Sequence, residues 1–190
     1  MASRGIILDR DGTLIDFYRD PLLGVVTPAF HADHVRLLPG VAEGLTLLRD
    51  AGFVFALATN QPDAALGKLP REAIEHTNQV LAQVLADAGF ELAALACCLH
   101  HPEGGPGGDA TLITSCSCRK PKPGMLESIV SQLDLDRDAS WMIGDTASDL
   151  GAAHAAGIRS GLLLRAQRCE LCQLQGLSCP NEPTLRASHL

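Results

Sequence analysis

Two carboxylates stand two positions apart in Asp9-Arg10-Asp11-Gly12-Thr13, directly after the apolar run Gly5-Ile6-Ile7-Leu8. Groups so spaced can divide a reaction between them, one attacking as a nucleophile and the other moving a proton. A strand ending in Asp-x-Asp delivers both to the crevice outside the carboxyl edge of an open parallel sheet, where such sheets bind ligands. Gly12 lets the chain turn, and Thr13 adds a hydroxyl. The same residues would also serve as an Asp-rich turn capping backbone N–H groups, so the chemistry depends on what converges there.

Three further segments supply what phosphoryl transfer needs besides a nucleophile and an acid/base. Thr59-Asn60-Gln61, after the apolar run 53–58, offers a hydroxyl and amides. Arg119-Lys120-Pro121 offers cations for a phosphate. Gly144-Asp145-Thr146-Ala147-Ser148-Asp149, after Trp141-Met142-Ile143, offers carboxylates for Mg²⁺. Each alone reads equally as a polar turn, a solvated lysine or a helix cap. Their order and joint chemistry make the functional reading the stronger one.

In that order the four segments resemble the haloacid dehalogenase (HAD) superfamily of phosphatases, over roughly residues 5 to 164. The resemblance implies that Asp9 is the nucleophile forming an aspartyl-phosphate and Asp11 the general acid/base. It implies further that Thr59 hydrogen-bonds a phosphate oxygen and that Lys120 neutralises developing charge. Asp145 would hold Mg²⁺ with the Asp9 carboxylate and the Asp11 backbone carbonyl, with Asp149 behind them. A carboxylate is a poor nucleophile towards an anionic phosphate, and cations offset that repulsion.

The remaining chain must position these groups. Short apolar runs at 5–8, 53–58, 92–99, 140–143 and 159–164 read as buried parallel strands. Helical patterns lie between them at 41–51, 71–88, 124–134 and 146–156, the last stopped by Gly157. Ile74, Thr77, Leu81, Val84, Leu85 and Ala88 form one core stripe; Met125, Leu126, Ile129, Val130 and Leu133 form another. Alternating strands and helices predict a doubly wound, Rossmann-like α/β fold with a parallel sheet, HAD-like and without a large cap domain.

Two insertions interrupt the alternation. Residues 17–39, with three prolines, predict a flap over the site, with Tyr18, Arg19 and His31 as candidates to touch substrate or to lie in solvent. The segment 97–118 predicts a zinc loop: Cys98-x-His100 and Cys116-x-Cys118 offer four ligands suited to tetrahedral Zn²⁺. The adjacent Cys97 and His101 leave the choice within each pair open. Such a closed site is structural, and Cys118 immediately precedes Arg119-Lys120, so zinc would order the loop that carries the cations.

The zinc loop, Asp-Arg-Asp-Gly-Thr and Cys118-Arg-Lys-Pro-x-Pro-Gly-Met125 together resemble the capless HAD branch that holds the heptose bisphosphate and histidinol-phosphate phosphatases. That likeness implies a small phosphate ester as substrate, a heptose bisphosphate ahead of histidinol phosphate, with Asn60 and Arg119 helping Thr59 to bind it. The chain departs from the branch at Pro62-Asp63, where a small residue and Gly are usual, and at Thr146, where some heptose enzymes carry Lys. A phosphate-responsive binding module is the non-enzymatic alternative, comparable with receiver domains that accept phosphate on Asp.

With 190 residues, 46% of them hydrophobic, the chain suffices for one domain with a real core. A net charge of −7 argues against a nucleic-acid partner. No apolar run approaches the roughly 20 residues that span a bilayer, and the amino terminus enters a strand at once, which predicts a cytoplasmic monomer without a membrane partner. Residues 1–166 form the predicted phosphatase domain and 167–190 a cysteine-containing extension. Cys169, Cys172, Cys179 and His189 offer a weaker second metal set, and 181–190 reads as a loose polar tail.

Overall fold

Ile6 and Leu8 face one side of the first strand and Ile7 the other, and all three are buried. An apolar run without alternation is what a strand covered on both faces requires. The structure is a computed structural model and describes residues 2–164 and 183–190. In chain order it contains β1 (Gly5–Leu8), β2 (Tyr18–Arg19), β3 (Val26–Thr27), α1 (Val41–Asp50), β4 (Val54–Asn60) and α2 (Arg71–Asp87). These are followed by β5 (Leu92–Cys98), α3 (Gly124–Gln132), β6 (Trp141–Gly144), α4 (Ala147–Ala156), β7 (Arg159–Leu163) and β8 (Leu185–Ala187).

The main sheet has six parallel strands in the order β5-β4-β1-β6-β7-β8. Val41 and Leu45 of α1 and Leu81 and Leu85 of α2 pack with Ile6, Leu8, Phe55 and Leu57 on one face. On the other, Met125, Leu126 and Ile129 of α3 and Ala152, Ala153 and Ala156 of α4 pack with Ile7, Ala56, Ala58 and Met142. The chain leaves β1 towards β4 and leaves β6 towards β7, so the winding reverses between β1 and β6. That switch point opens a crevice at the carboxyl ends of these two strands, where Asp9 and Asp145 stand.

The doubly wound sheet and its four α-helices agree with the sequence reading, with element ends differing by one or two residues. The flap holds its own antiparallel ribbon, β2 with β3. The carboxy terminus differs from expectation: residues 185–187 form β8 beside β7, and the Leu164 N–H donates to the Ala187 carbonyl at 2.8 Å. Leu190 packs into the core beside α1. A three-residue strand carries almost no periodic signal, and its polar neighbours dominate the reading. Cys169, Cys172 and Cys179, offered as a second metal set, lie outside the described residues. No helix among the described residues is long and apolar enough to cross a membrane.

Because β8 covers the edge of β7, removing residues 184–190 should lower Tm by more than about 4 °C in a scanning calorimeter. An unchanged Tm would mean that the strand adds nothing to stability.

Candidate active site

The ammonium of Lys120 is the centre of the crevice, with only 3% of the residue exposed. Its Nζ lies 2.7 Å from Asp9 Oδ1 and 2.6 Å from Asp149 Oδ1, and it donates to the Ala58 carbonyl at 2.7 Å. Carboxylate oxygens of Asp9, Asp145 and Asp149 all fall within 4.8 Å of one another. Asp9 follows β1, Asp145 follows β6 and Asp149 sits in the first turn of α4.

Local structure explains these placements. The Asp9 N–H donates to the Ile143 carbonyl at 2.9 Å, which extends the β1–β6 pairing to Asp9. Gly12 has φ +83, and a Cβ there would collide with the Asp145 carboxylate, so the turn can pass this close only as glycine. Thr146 and Asp149 form a capping box at the start of α4: Asp149 Oδ2 accepts from the Thr146 N–H at 3.0 Å and its hydroxyl at 2.6 Å. One Asp149 oxygen is thus fixed by the helix cap, and the other meets Lys120.

Three carboxylates around one ammonium would, when all are ionised, leave two negative charges without a counterion. Burial raises the Asp145 pKa to about 8, with Asp9 and Asp149 adding to the shift and Lys120 opposing it. Burial likewise raises Asp9 to about 6, against the attraction of Lys120. Burial works against the Lys120 charge, but Asp149 and Asp9 outweigh it and lift its pKa above the ordinary lysine value. Asp145 Oδ1 is buried and has no hydrogen-bond partner among the described residues. An all-oxygen set with excess negative charge and an unpartnered oxygen fits a hard divalent cation such as Mg²⁺.

Asp9, Asp11, Thr59, Asn60, Arg119, Lys120 and Asp145 all line one cavity of about 340 Å³. That volume suits a small phosphorylated metabolite. Phe17 and Pro28 of the flap close one side; Tyr18, Arg19 and His31 do not line it. Tyr18 instead stacks on His34 with ring centroids 3.8 Å apart, which braces the flap internally. Asn60, which lines the cavity, also holds the neighbouring loop. Its Nδ2 donates to the Lys120 carbonyl at 3.0 Å and its Oδ1 accepts from the Lys120 N–H at 3.1 Å, clamping the lysine main chain. Thr59 Oγ1 accepts from Gln61 Nε2 at 2.9 Å.

Strand parity resolves the zinc loop. Cys98 shares the α3 side of β5 with Ala94 and Ala96, whereas Cys97 faces the opposite cluster. Cys98 Sγ lies 3.7 Å from His100 Nδ1, 3.7 Å from Cys116 Sγ and 3.1 Å from Cys118 Sγ, while His100 and Cys118 are 3.3 Å apart. Ligands about 2.3 Å from a tetrahedral Zn²⁺ lie roughly 3.8 Å apart, so the set is compact enough to close on one ion. His101 is excluded from it: its Nδ1 accepts from the N–H groups of Glu103 and Gly104 at 3.3 and 3.0 Å, shaping the glycine-rich turn. The Arg119 N–H donates to Cys116 Sγ at 3.4 Å, and Arg119 Nη1 to the His100 carbonyl at 3.4 Å. The loop therefore fixes Arg119 and, one residue on, Lys120.

Comparison with known proteins gives the family. A family model described as HAD-hydrolase-like matches residues 117–183. The chain belongs to the HAD-like hydrolases. It is 36% identical over 161 residues to the D-glycero-β-D-manno-heptose-1,7-bisphosphate 7-phosphatase of Yersinia pestis, covering 84% of this chain and 79% of the relative. The enzyme of that name from Vibrio cholerae is 36% identical over 166 residues, covering 87% and 83%. The crystal structure of D,D-heptose 1,7-bisphosphate phosphatase from B. bronchiseptica, complexed with magnesium and phosphate, superposes with a TM-score of 0.66 at 30% identity, covering 84% of this chain and 80% of that one.

The raised carboxylates carry a pH signature. Without metal, the folded state holds protons on Asp145 and Asp9 that the unfolded chain releases near its ordinary value of 3.8, so stability falls as pH rises from 3.8, levelling off above about 6 for Asp9 and above about 8 for Asp145. The Tm of metal-free protein should decline across that range, and Mg²⁺ or Asp145→Asn should flatten the decline. A slope unaffected by either would disprove the charge assignment.

Stripping the zinc loop with a chelator and restoring Mg²⁺ alone should lower kcat about tenfold or more, together with Tm. Full activity in a verified zinc-free sample would separate the loop from catalysis.

Proposed function

We propose that the chain is a Mg²⁺-dependent phosphoric monoester hydrolase that removes the 7-phosphate of D-glycero-D-manno-heptose 1,7-bisphosphate. The observation that carries the chemistry is the buried Asp9–Lys120–Asp149 ion cluster with Asp145 beside it. What supports the substrate is the identity to heptose bisphosphate phosphatases over most of both chains.

Lys120 takes Asp9 Oδ1, so Oδ2 is the oxygen that attacks phosphorus in line with the departing alkoxide. Asp11 gives the alkoxide its proton, and the product leaves while the phosphoryl group stays on Asp9. Asp11 then takes a proton from water, whose oxygen attacks phosphorus and breaks the acyl-phosphate bond to regenerate the Asp9 carboxylate. Lys120 holds the nucleophile in place and faces the charge that builds on the phosphoryl oxygens. Arg119 and Thr59 line the cavity and would donate hydrogen bonds to the phosphate. Asp9, Asp145 and the Asp11 carbonyl would hold Mg²⁺, which supplies charge neutralisation between the carboxylates and the incoming phosphate. The cytoplasm suits the thiols of the zinc set, which must stay reduced to bind metal.

Asp9→Asn should abolish turnover, to below about 10⁻⁴ of the original kcat, while leaving the fold intact. A panel of phosphorylated metabolites ranked by kcat/KM should place the heptose bisphosphate first. Preference for histidinol phosphate would move the chain to the neighbouring branch, and inertness towards every ester would sink the enzymatic reading.

A further inference from the structure

Arg10 lies between the two carboxylates of the first loop, yet only 1% of it is exposed. A guanidinium this deep must direct its donors to partners. Nε donates to Asp11 Oδ2 at 2.9 Å and Nη2 to Asp11 Oδ1 at 3.3 Å. Nη1 donates to Asn78 Oδ1 on α2 at 2.8 Å, and Nη2 also reaches the Ala29 carbonyl in the flap at 3.0 Å. Ala29 returns a bond, its N–H donating to Asp11 Oδ1 at 3.2 Å. Gln61 Nε2 completes the set on Asp11 Oδ2 at 2.7 Å.

Four donor contacts thus fill the lone-pair sites of the Asp11 carboxylate. A carboxylate so occupied cannot exchange a proton with substrate until one contact is released. The contacts to Arg10 and Gln61 come from buried side chains of the rigid sheet edge, whereas Ala29 belongs to the flap. Ala29 uses both its N–H and its carbonyl on the Arg10–Asp11 pair, so flap and carboxylate are tied at one point.

We propose that Arg10 is a positioning residue for the proton-transfer carboxylate, and that through Ala29 it couples the orientation of Asp11 to the position of the flap. Displacement of Ala29 by a bound substrate frees one lone pair on Asp11 Oδ1, which then holds the proton that Asp11 takes from water in one turnover and gives to the alkoxide in the next, while Arg10 and Gln61 keep the carboxylate aimed. Arg10 does not itself bind phosphate, because its donors are directed to Asp11, Asn78 and Ala29. The inference rests on the reading of Asp11 as the acid/base.

The test compares leaving groups in single turnovers with enzyme in excess. An alkoxide needs a proton to depart, whereas p-nitrophenolate does not. Arg10→Lys keeps a cation but loses the planar fork. It should slow cleavage of the sugar phosphate about 100-fold and leave p-nitrophenol release from p-nitrophenyl phosphate within about threefold of the unaltered enzyme. Asp11→Asn, run in parallel, should separate the two substrates in the same direction. Ala29→Pro removes the flap N–H and keeps the carbonyl; it should give a smaller split of the same sign. Should Arg10→Lys not fold, Asn78→Leu removes the acceptor of Nη1 and carries the same test.

Equal loss on both substrates in the Arg10 or Asn78 variant, or no loss on either, overturns the positioning role. Rates unaltered by Ala29→Pro overturn the coupling to the flap. If Asp11→Asn fails to separate the substrates, the acid/base reading falls and this inference with it; if only the Arg10 variant fails to, the acid/base reading stands.

Discussion

One buried ammonium organises this molecule. Lys120 lies between Asp9 and Asp149, and without it three carboxylates would meet in a crevice largely closed to water. Burying such charges is costly unless each is paired, and removing one partner from a buried pair typically costs about 3–5 kcal/mol. The pairing here is deliberately incomplete. When all three are ionised two negative charges remain over, which a divalent cation can balance, and the assembled cluster can then receive an anionic phosphate that the carboxylates alone would repel.

The rest of the fold holds that lysine and its partners still. Asn60, at the end of β4, grips the Lys120 main chain from one side. The zinc loop fixes the preceding residue from the other through Cys116 and His100. The α4 cap fixes Asp149. Two metal chemistries are thereby divided: a closed set of soft ligands shapes the loop, and an open set of hard oxygens faces the cavity. Zinc bound there would matter without touching substrate, because it would hold Arg119 and Lys120 at the cavity wall.

Much of this was legible in the chain. Parallel strands buried on both faces read as short apolar runs, and amphipathic helices between them leave few topologies open. Asp9, Asp11, Lys120 and Asp145 stood out because carboxylates and cations fell in order at element ends, and the structure brings them to one cavity. What the sequence hid depends on geometry between elements. Arg10 has no role that its neighbours in the chain reveal; its partners on α2 and in the flap supply it. Asp149 reads as standing behind the Mg²⁺ ligands, because nothing in its spacing reveals that it meets Lys120. The ambiguity between Cys97 and Cys98 turned only on the parity of β5, and core positions 94 and 96 carry that parity. The edge strand at 185–187 is too short for any period to mark it.

In the proposed reaction Asp9, held by Lys120, carries the phosphoryl group. Quenching the enzyme during turnover of the heptose bisphosphate with Mg²⁺, reducing with borohydride and mapping peptides by mass spectrometry tests it directly, because borohydride reduces an acyl-phosphate to an alcohol. Homoserine is expected in place of Asp9 and at no other position. Homoserine at Asp11, or at no residue despite measurable turnover, would contradict it.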